Sequence, residues 1–358
     1  MTVINVSNKF QIFPDDLKTF DKLPKGTYNV RFNKMEGFSL IKRDNLTVDE
    51  KMYGNHKEKA QKALKTFGLF ERSMGIILSG DKGIGKTMFT RYLANQFVEE
   101  NELPVILVDQ PYFGIADFLS SIKQEAMILF DEFEKVFDQN DDNAERQDSL
   151  LGLFDGLSNT KHMYVITVND LNRLSSFMQN RTGRFHYHFR FKYPKGQEVR
   201  DYIHDYVQDI DESVLDKIVD FSTKVKVTFD TLRSIAFEVA NGHSFSETIE
   251  DLNISQGDAS QYSILVKLKD GTIHKIQDKY EVDLFEDFVK FGGHIDGEWV
   301  KFVFESKNLH SIASEDGYLV DTGIEAKVYD DEDGEYVPLE IAEILLKINN
   351  DANIKYTV

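Results

Sequence analysis

Residues 80–87 fit the spacing G-x-x-x-x-G-K-[ST] and read Gly80, Asp81, Lys82, Gly83, Ile84, Gly85, Lys86 and Thr87. An apolar run at residues 75–78 precedes this stretch, and a helical pattern that begins at Met88 follows it. Backbone amides of a glycine-rich loop hold polyphosphate, assisted by the positive end of the following helix. Lys86 is then expected to reach the β and γ phosphates, and the Thr87 hydroxyl to bind magnesium. The stretch predicts a phosphate-binding loop, with Met88 included in the nucleotide site.

Two acids and an asparagine end later apolar runs. Asp131 and Glu132 follow residues 127–130, and Asn169 follows residues 164–168. Ligands bind at the carboxyl ends of strands in open α/β sheets. We therefore predict that Asp131 holds magnesium through water, that Glu132 is the general base and that Asn169 aligns the attacking water. A surface acidic pair and an ordinary strand-ending asparagine are the alternatives.

Apolar runs alternate with helical patterns between residues 75 and 193, as a parallel sheet covered on both faces requires. Three further helical patterns follow, and strand-like runs dominate after residue 253. We predict an α/β fold with a P-loop parallel sheet, a small helical lid, a β-rich C-terminal domain and a small N-terminal β element. The predicted boundaries are 1–47 for the N-terminal element, 48–193 for the nucleotide-binding domain, 194–252 for the lid and 253–358 for the C-terminal domain.

Two elements of the C-terminal domain are predicted individually. Residues 264–268 (ILVKL) and 272–276 (TIHKI) are strand-like stretches on either side of Asp270-Gly271, a pattern typical of a β-hairpin. A final helix is predicted over residues 339–348.

The ordered motifs resemble those of the AAA+ ATPases, in particular the AAA clade. In that family the phosphate loop, acidic pair and strand-terminal asparagine precede a segment ending in R-x-G-R-F, and residues 181–185 read RTGRF. The resemblance covers residues 48–252. It implies that Arg181 and Arg184 are arginine fingers, which stabilise the developing phosphoryl charge in a neighbouring subunit. It further implies a ring, in the leading interpretation a homo-hexamer, that binds ATP and Mg²⁺.

Three further features match the family less closely. Tyr53 and Gly54 lie where AAA proteins place a linker motif against adenine. Arg233 occupies the place of a lid arginine, although an arginine in a helix is commonly a surface residue. Tyr112 and Phe113, followed by a glycine, have the composition of a pore loop that grips polypeptide, with core packing as the alternative.

Composition narrows the classes of function. The chain has 358 residues, no cysteine and a net charge of −19. Without cysteine there is no disulfide or cysteine-ligated zinc, which fits a reducing cytoplasm. We expect neither secretion nor a membrane span. Residues 253–358 carry about −12 of the charge, and acidic surfaces repel phosphate backbones.

Three functions remain open from the sequence. The leading one is a ring ATPase that remodels or unfolds a protein substrate. The alternative is a DNA-directed factor, such as a helicase loader or a replication or packaging motor, which the acidic balance disfavours. The third is a switch in which ATP only controls assembly.

Overall fold

A parallel sheet carries the phosphate loop in the computed structural model. The model describes residues 2–6, 9–13, 17–138, 145–155, 160–179, 184–252, 261–281, 288–312, 317–329 and 336–348. The chain divides into two units, Met1–Lys192 and Tyr193–Val358.

The first unit alternates strands and helices over most of its length. Its described elements are β1 (Thr2–Val6), β2 (Lys9–Phe13), β3 (Gly26–Asn33), β4 (Gly37–Arg43), α1 (His56–Leu69), β5 (Met74–Ser79), α2 (Lys86–Glu100), β6 (Pro104–Val108), α3 (Ile115–Ser121), β7 (Ala126–Phe130), α4 (Phe133–Val136), α5 (Leu151–Phe154), β8 (His162–Val168), α6 (Ser176–Gln179) and β9 (Phe185–Arg190).

Seven of these strands form one sheet in the order β4-β3-β6-β7-β8-β5-β9. All neighbours pair in parallel except β3 and β4, which form an antiparallel hairpin. Every residue of β5, β7 and β8 is buried, as expected for strands covered on both faces. The carboxyl ends of β5, β6, β7 and β8 therefore meet at one edge of the sheet, and the predicted α/β fold is confirmed.

The predicted N-terminal β element is partly a component of this sheet. Strand β3 pairs in parallel with β6, from Gly26 opposite Pro104 to Asn29 opposite Leu107. Tyr28 and Val30 are buried. Residues 26–43 thus extend the sheet of the nucleotide-binding domain instead of forming a separate element, because pairing with β6 accompanies burial of apolar side chains of β3.

Helix α1 begins at His56. Gly54 has a positive φ of 68°, a conformation that does not continue into a right-handed helix. The buried face of α1 consists of Ala60, Ala63, Leu64 and Phe67, which recur at helical spacing.

The second unit starts with helices and continues with antiparallel sheets. Its described elements are α7 (Gln197–Tyr206), α8 (Glu212–Lys224), α9 (Phe229–Ala240), α10 (Phe245–Asp251), β10 (Gln261–Leu268), β11 (Ile273–Glu281), β12 (Phe288–Ile295), β13 (Glu298–Glu305), β14 (His310–Ile312), β15 (Gly317–Val320), β16 (Glu325–Tyr329), β17 (Tyr336–Pro338) and β18 (Ile341–Ile348). The helical segment, the hairpin of β10 and β11 and the β-rich C-terminal region agree with the sequence predictions. None of the described helices is long and apolar enough for a bilayer crossing.

The final helix predicted over residues 339–348 is wrong, because this segment forms strand β18. It lies between β10 and β15 in a five-stranded sheet. Ile344 and Leu346 are fully buried, so alternate residues face the core. The spacing of its apolar residues also suits a helix, and pairing on both sides decides in favour of the strand.

Candidate nucleotide-binding and catalytic site

The glycine loop turns sharply between β5 and α2. Gly80, Gly83 and Gly85 have φ values of 143°, 81° and 98°, which favour glycine. A Cβ on Gly80 would lie only 2.6 Å from the Ile84 side chain and from the Phe191 carbonyl oxygen. The loop therefore requires glycine for its close packing, and it leads into the N-terminus of a fifteen-residue helix, where anions are favoured.

Lys86 is the first residue of α2 and is buried. Its Nζ donates hydrogen bonds to the carbonyl oxygens of Gly80, at 2.5 Å, and Asp81, at 2.7 Å. Burial lowers the pKa of Lys86, while the nearby carboxylates, Asp81 first, oppose that shift. An ammonium group held inside the loop can donate hydrogen bonds to phosphate oxygens of a bound nucleotide. These bonds would replace the two bonds to the carbonyl oxygens.

Thr167 contacts both the predicted magnesium ligand Asp131 and the predicted base Glu132. Its hydroxyl donates to Asp131 Oδ1 at 2.6 Å and accepts the backbone N–H of Glu132 at 2.8 Å. The parallel register, with Phe130 opposite Ile166, places Thr167 beside Asp131. Sequence reasoning missed this role of Thr167, because only the strand pairing reveals it.

Glu132 follows β7 in a left-handed backbone conformation with φ 46°, which is uncommon for a residue other than glycine and often marks functional sites. Its Oε1 accepts hydrogen bonds from Lys135 Nζ at 2.7 Å and from Asn169 Nδ2 at 3.2 Å. The hydrogen bond from Lys135 lowers the pKa of Glu132. The carboxylate is therefore ionised at neutral pH, as a general base must be.

The donor set fits a magnesium nucleotide. Thr87 is exposed at the start of α2, and Asp131 lies at the carboxyl end of β7. Magnesium usually binds one or two protein oxygens and takes its other ligands from phosphates and water. Within the described residues, no three His, Asp or Glu side chains form a cluster that could hold a metal ion. The hydroxyl of Thr87, at the end of the phosphate loop, and the carboxylate of Asp131, after β7, are the predicted magnesium ligands.

The remaining predicted nucleotide contacts lie in two separate units. Tyr53 is buried, and Lys51 Nζ lies 5.3 Å from its ring centroid. Arg233 is an exposed residue of α9 in the second unit. Burial raises the pKa of Tyr202, and the nearby Arg233 opposes the rise. The contacts of Tyr53, Gly54 and Arg233 with a nucleotide stay predictions.

Of the two predicted arginine fingers, Arg181 lies outside the described residues. Arg184 is buried just before β9, where its Nε and Nη2 donate to the two carboxylate oxygens of Asp155. Its Nη1 donates to the carbonyl oxygen of Phe177 at 2.7 Å. Within one chain, Arg184 therefore links the end of α5 to the segments around α6 and β9.

This contact leads to a stability prediction. Arg184→Ala removes the hydrogen bonds to the Asp155 carboxylate and to the Phe177 carbonyl, and should lower the free energy of unfolding by about 2–3 kcal/mol. Urea denaturation measures the change, with Arg91→Ala on the exposed face of α2 as the control. A variant as stable as the wild type would exclude a structural role for Arg184.

The predicted pore-loop residues differ in exposure. Tyr112 is partly buried, with ring centroids 5.9 Å from Phe32 and 6.2 Å from Phe38. Phe113 is 61% exposed. Packing thus accounts for Tyr112, whereas Phe113 is the aromatic residue that the loop presents to solvent.

A glycine loop at a helix N-terminus, with an acidic pair at the carboxyl end of a parallel strand, defines a P-loop nucleoside triphosphatase. Residues 76–193 match the family model described as ATPase family associated with various cellular activities (AAA). The chain therefore carries an AAA ATPase domain and is an ATP hydrolase. Proteins of this family bind ATP, typically with Mg²⁺, and typically form oligomers.

One solved structure that the chain matches in part is titled as the E. coli MS115-1 HORMA:CdnC:Trip13 complex. The similarity has a TM-score of 0.45 at 14% sequence identity, and covers 57% of this chain and 90% of the other. None of the curated proteins matches the chain.

Proposed function

We propose that the chain forms a ring, in its simplest form a homo-hexamer, that uses ATP hydrolysis to remodel or unfold a protein substrate. The observation that carries this proposal is the exposed Phe113 in a loop at the carboxyl end of β6, the edge of the sheet that also carries the ATP site. An aromatic side chain grips a polypeptide of any sequence by apolar contact.

The loop around Phe113 is anchored on both sides. The backbone N–H of Glu145 donates to the carbonyl oxygen of Pro111 at 2.9 Å, and the backbone N–H of Gly114 donates to Glu145 Oε2 at 2.7 Å. The neighbouring Tyr112 is held against the aromatic side chains of β3 and β4. These contacts fix the backbone on both sides of Phe113, which suits a residue that transmits force to a substrate.

The proposed reaction uses the residues of the site in distinct roles. Backbone amides of the loop and Lys86 bind the phosphates. Thr87, and Asp131 through water, would hold magnesium, which would neutralise phosphate charge when bound. Glu132 takes a proton from the attacking water while the oxygen of that water forms a bond to the γ-phosphorus. Asn169 keeps the water and the Glu132 carboxylate aligned for this attack. ADP then leaves with the pair of electrons from the broken P–O bond.

Two copies are needed for a complete site in this proposal. Arg181, with Arg184 as a second candidate, supplies a guanidinium to the γ-phosphate bound by the neighbouring copy. Arg184 would have to exchange its contact with Asp155 for this role, so Arg181 is the first candidate. Tyr53 and Gly54 are proposed to contact adenine, and Arg233 to reach the nucleotide from the lid.

Phe113→Ala should reduce stimulation of ATPase activity by a permanently unfolded polypeptide about fivefold to tenfold, because it removes the exposed aromatic contact. Basal ATPase activity should change less than twofold. Phosphate release measured with and without the polypeptide tests the proposal, and Phe237→Ala, which truncates a similarly exposed phenylalanine of α9, is the control.

Tyr112→Ala separates gripping from packing. It should lower thermal stability, since Tyr112 packs against the β3–β4 hairpin.

Full polypeptide stimulation in Phe113→Ala would contradict the proposal. Stimulation by single-stranded DNA instead of polypeptide would favour the DNA-directed alternative.

A further inference from the structure

Glu134 is a third acid beside the catalytic pair. It lies in α4, two residues after Glu132, and is only 1% exposed. The helix is fixed by its apolar neighbours, since the Phe133 ring lies 5.6 Å from that of Phe130 and 5.1 Å from that of Phe137. The Glu134 carboxylate is thus buried next to the predicted ATP site.

Burial of this carboxylate is only partly compensated. Oε1 accepts the backbone N–H of Asn169 at 3.1 Å. Oε2 is buried and has no hydrogen-bond partner among the described residues. A buried carboxylate with an unpaired oxygen opposes folding, and an apolar side chain at this position would avoid that penalty. Its presence calls for a role other than stability.

The contact of Glu134 leads directly to the proposed catalytic base. Asn169 lies one residue beyond the end of β8, where the strand ladder no longer fixes the backbone. Its N–H is bound by Glu134, and its side-chain amide donates to Glu132 Oε1 at 3.2 Å. Asn169 is therefore held at its backbone by the buried Glu134 and contacts Glu132 through its side chain.

We propose that Glu134 is a positioning residue for ATP hydrolysis: its carboxylate oxygen fixes the backbone of Asn169, so that the Asn169 amide stays aligned with Glu132 and the attacking water. The inference rests on the proposed roles of Glu132 and Asn169. Glu134 itself touches neither the substrate nor the reacting atoms. Its required property is an acceptor oxygen at the correct position.

A competing role is support of nucleotide binding. The charge of Glu134 also favours the charged form of Lys86, together with Asp81, Asp131 and Glu132, against the effect of burial on the Lys86 pKa. A residue that acts through Lys86 alters ATP affinity, whereas one that acts through Asn169 alters kcat. The two roles are therefore separable by measurement.

The test compares Glu134→Met, which removes the acceptor at similar length, with Glu134→Gln, which keeps one. Kinetics give kcat and KM, and a fluorescent ATP analogue gives the Kd. For Glu134→Met we expect kcat to fall at least about tenfold with the Kd changed less than about threefold. Glu134→Gln should keep kcat within about threefold of the wild type.

A double-mutant cycle identifies the partner. In the Asn169→Ala background, Glu134→Met should lower kcat by less than about twofold, because the side chain that it positions is already gone. If Glu134→Met does not fold, Glu134→Asp takes its place, since the shorter side chain keeps the charge but withdraws the oxygen from Asn169. The same loss of kcat is then expected.

Several results would overturn the inference. Equal losses of kcat in Glu134→Gln and Glu134→Met would show that charge matters and not the acceptor. A raised Kd with unchanged kcat would assign Glu134 to Lys86. Multiplicative losses in the double variant would exclude action through Asn169. An unchanged kcat in Asn169→Ala alone would instead refute the proposed role of Asn169.

Discussion

Glu132→Gln is expected to lower kcat for ATP hydrolysis by about 10²–10⁴-fold while leaving ATP bound, because an amide cannot accept the proton of the attacking water. The glutamine side chain has the size of glutamate, and its carbonyl oxygen can still accept the hydrogen bond from Asn169 Nδ2. Phosphate release gives kcat, and titration with a fluorescent ATP analogue gives the Kd, which should stay within about threefold of the wild type.

Glu99→Gln, at an exposed position near the end of α2, is the matched control and should hydrolyse ATP normally. Substantial hydrolysis by Glu132→Gln would remove Glu132 from the role of base. An inactive variant that retains ATP also serves as a trap for a bound client, and pull-down with it identifies that client. A variant that assembles and performs its function undiminished would support the switch over the motor.

Lys86→Ala is expected to weaken ATP binding at least about a hundredfold, because hydrogen bonds from an ammonium group to two phosphates are lost. Lys86 already lies within the loop, bound to two of its carbonyl oxygens. Isothermal titration calorimetry with a non-hydrolysable ATP analogue measures the change. Lys65→Ala, on the exposed face of α1, is the control.

Lys86 also supports the loop in the free protein, so its loss has a second effect. Thermal unfolding without nucleotide separates loss of fold from loss of binding. A folded Lys86→Ala protein that binds the analogue as tightly as the wild type would contradict the assignment of this loop to phosphate binding.

The sequence predicts the parallel sheet well, because its central strands are buried on both faces and read as continuous apolar runs. It fails where pairing partners are remote. Strand β18 has a spacing that also suits a helix, and its conformation depends on β10 and β15, more than twenty residues away along the chain. Strand β3 similarly depends on β6.

The same distinction holds in the site. Lys86, Asp131 and Glu132 are candidates from the sequence alone because they belong to motifs of fixed spacing. Thr167 and Glu134 are not, because their contacts with Asp131 and Asn169 cross neighbouring elements. The internal partner of Arg184 is likewise remote in sequence, since 29 residues separate it from Asp155.

The hairpin of β3 and β4 has a consequence for solubility. An exposed strand presents unpaired backbone groups to which another chain can add. Strand β6 would be such a strand if the first 47 residues were cut away, because β3 covers its outer side. The hairpin instead leaves β4 outermost, and the exposed Lys42 and Arg43 near its end discourage pairing with other molecules. The hairpin thus closes an edge of the sheet that β6 would otherwise expose.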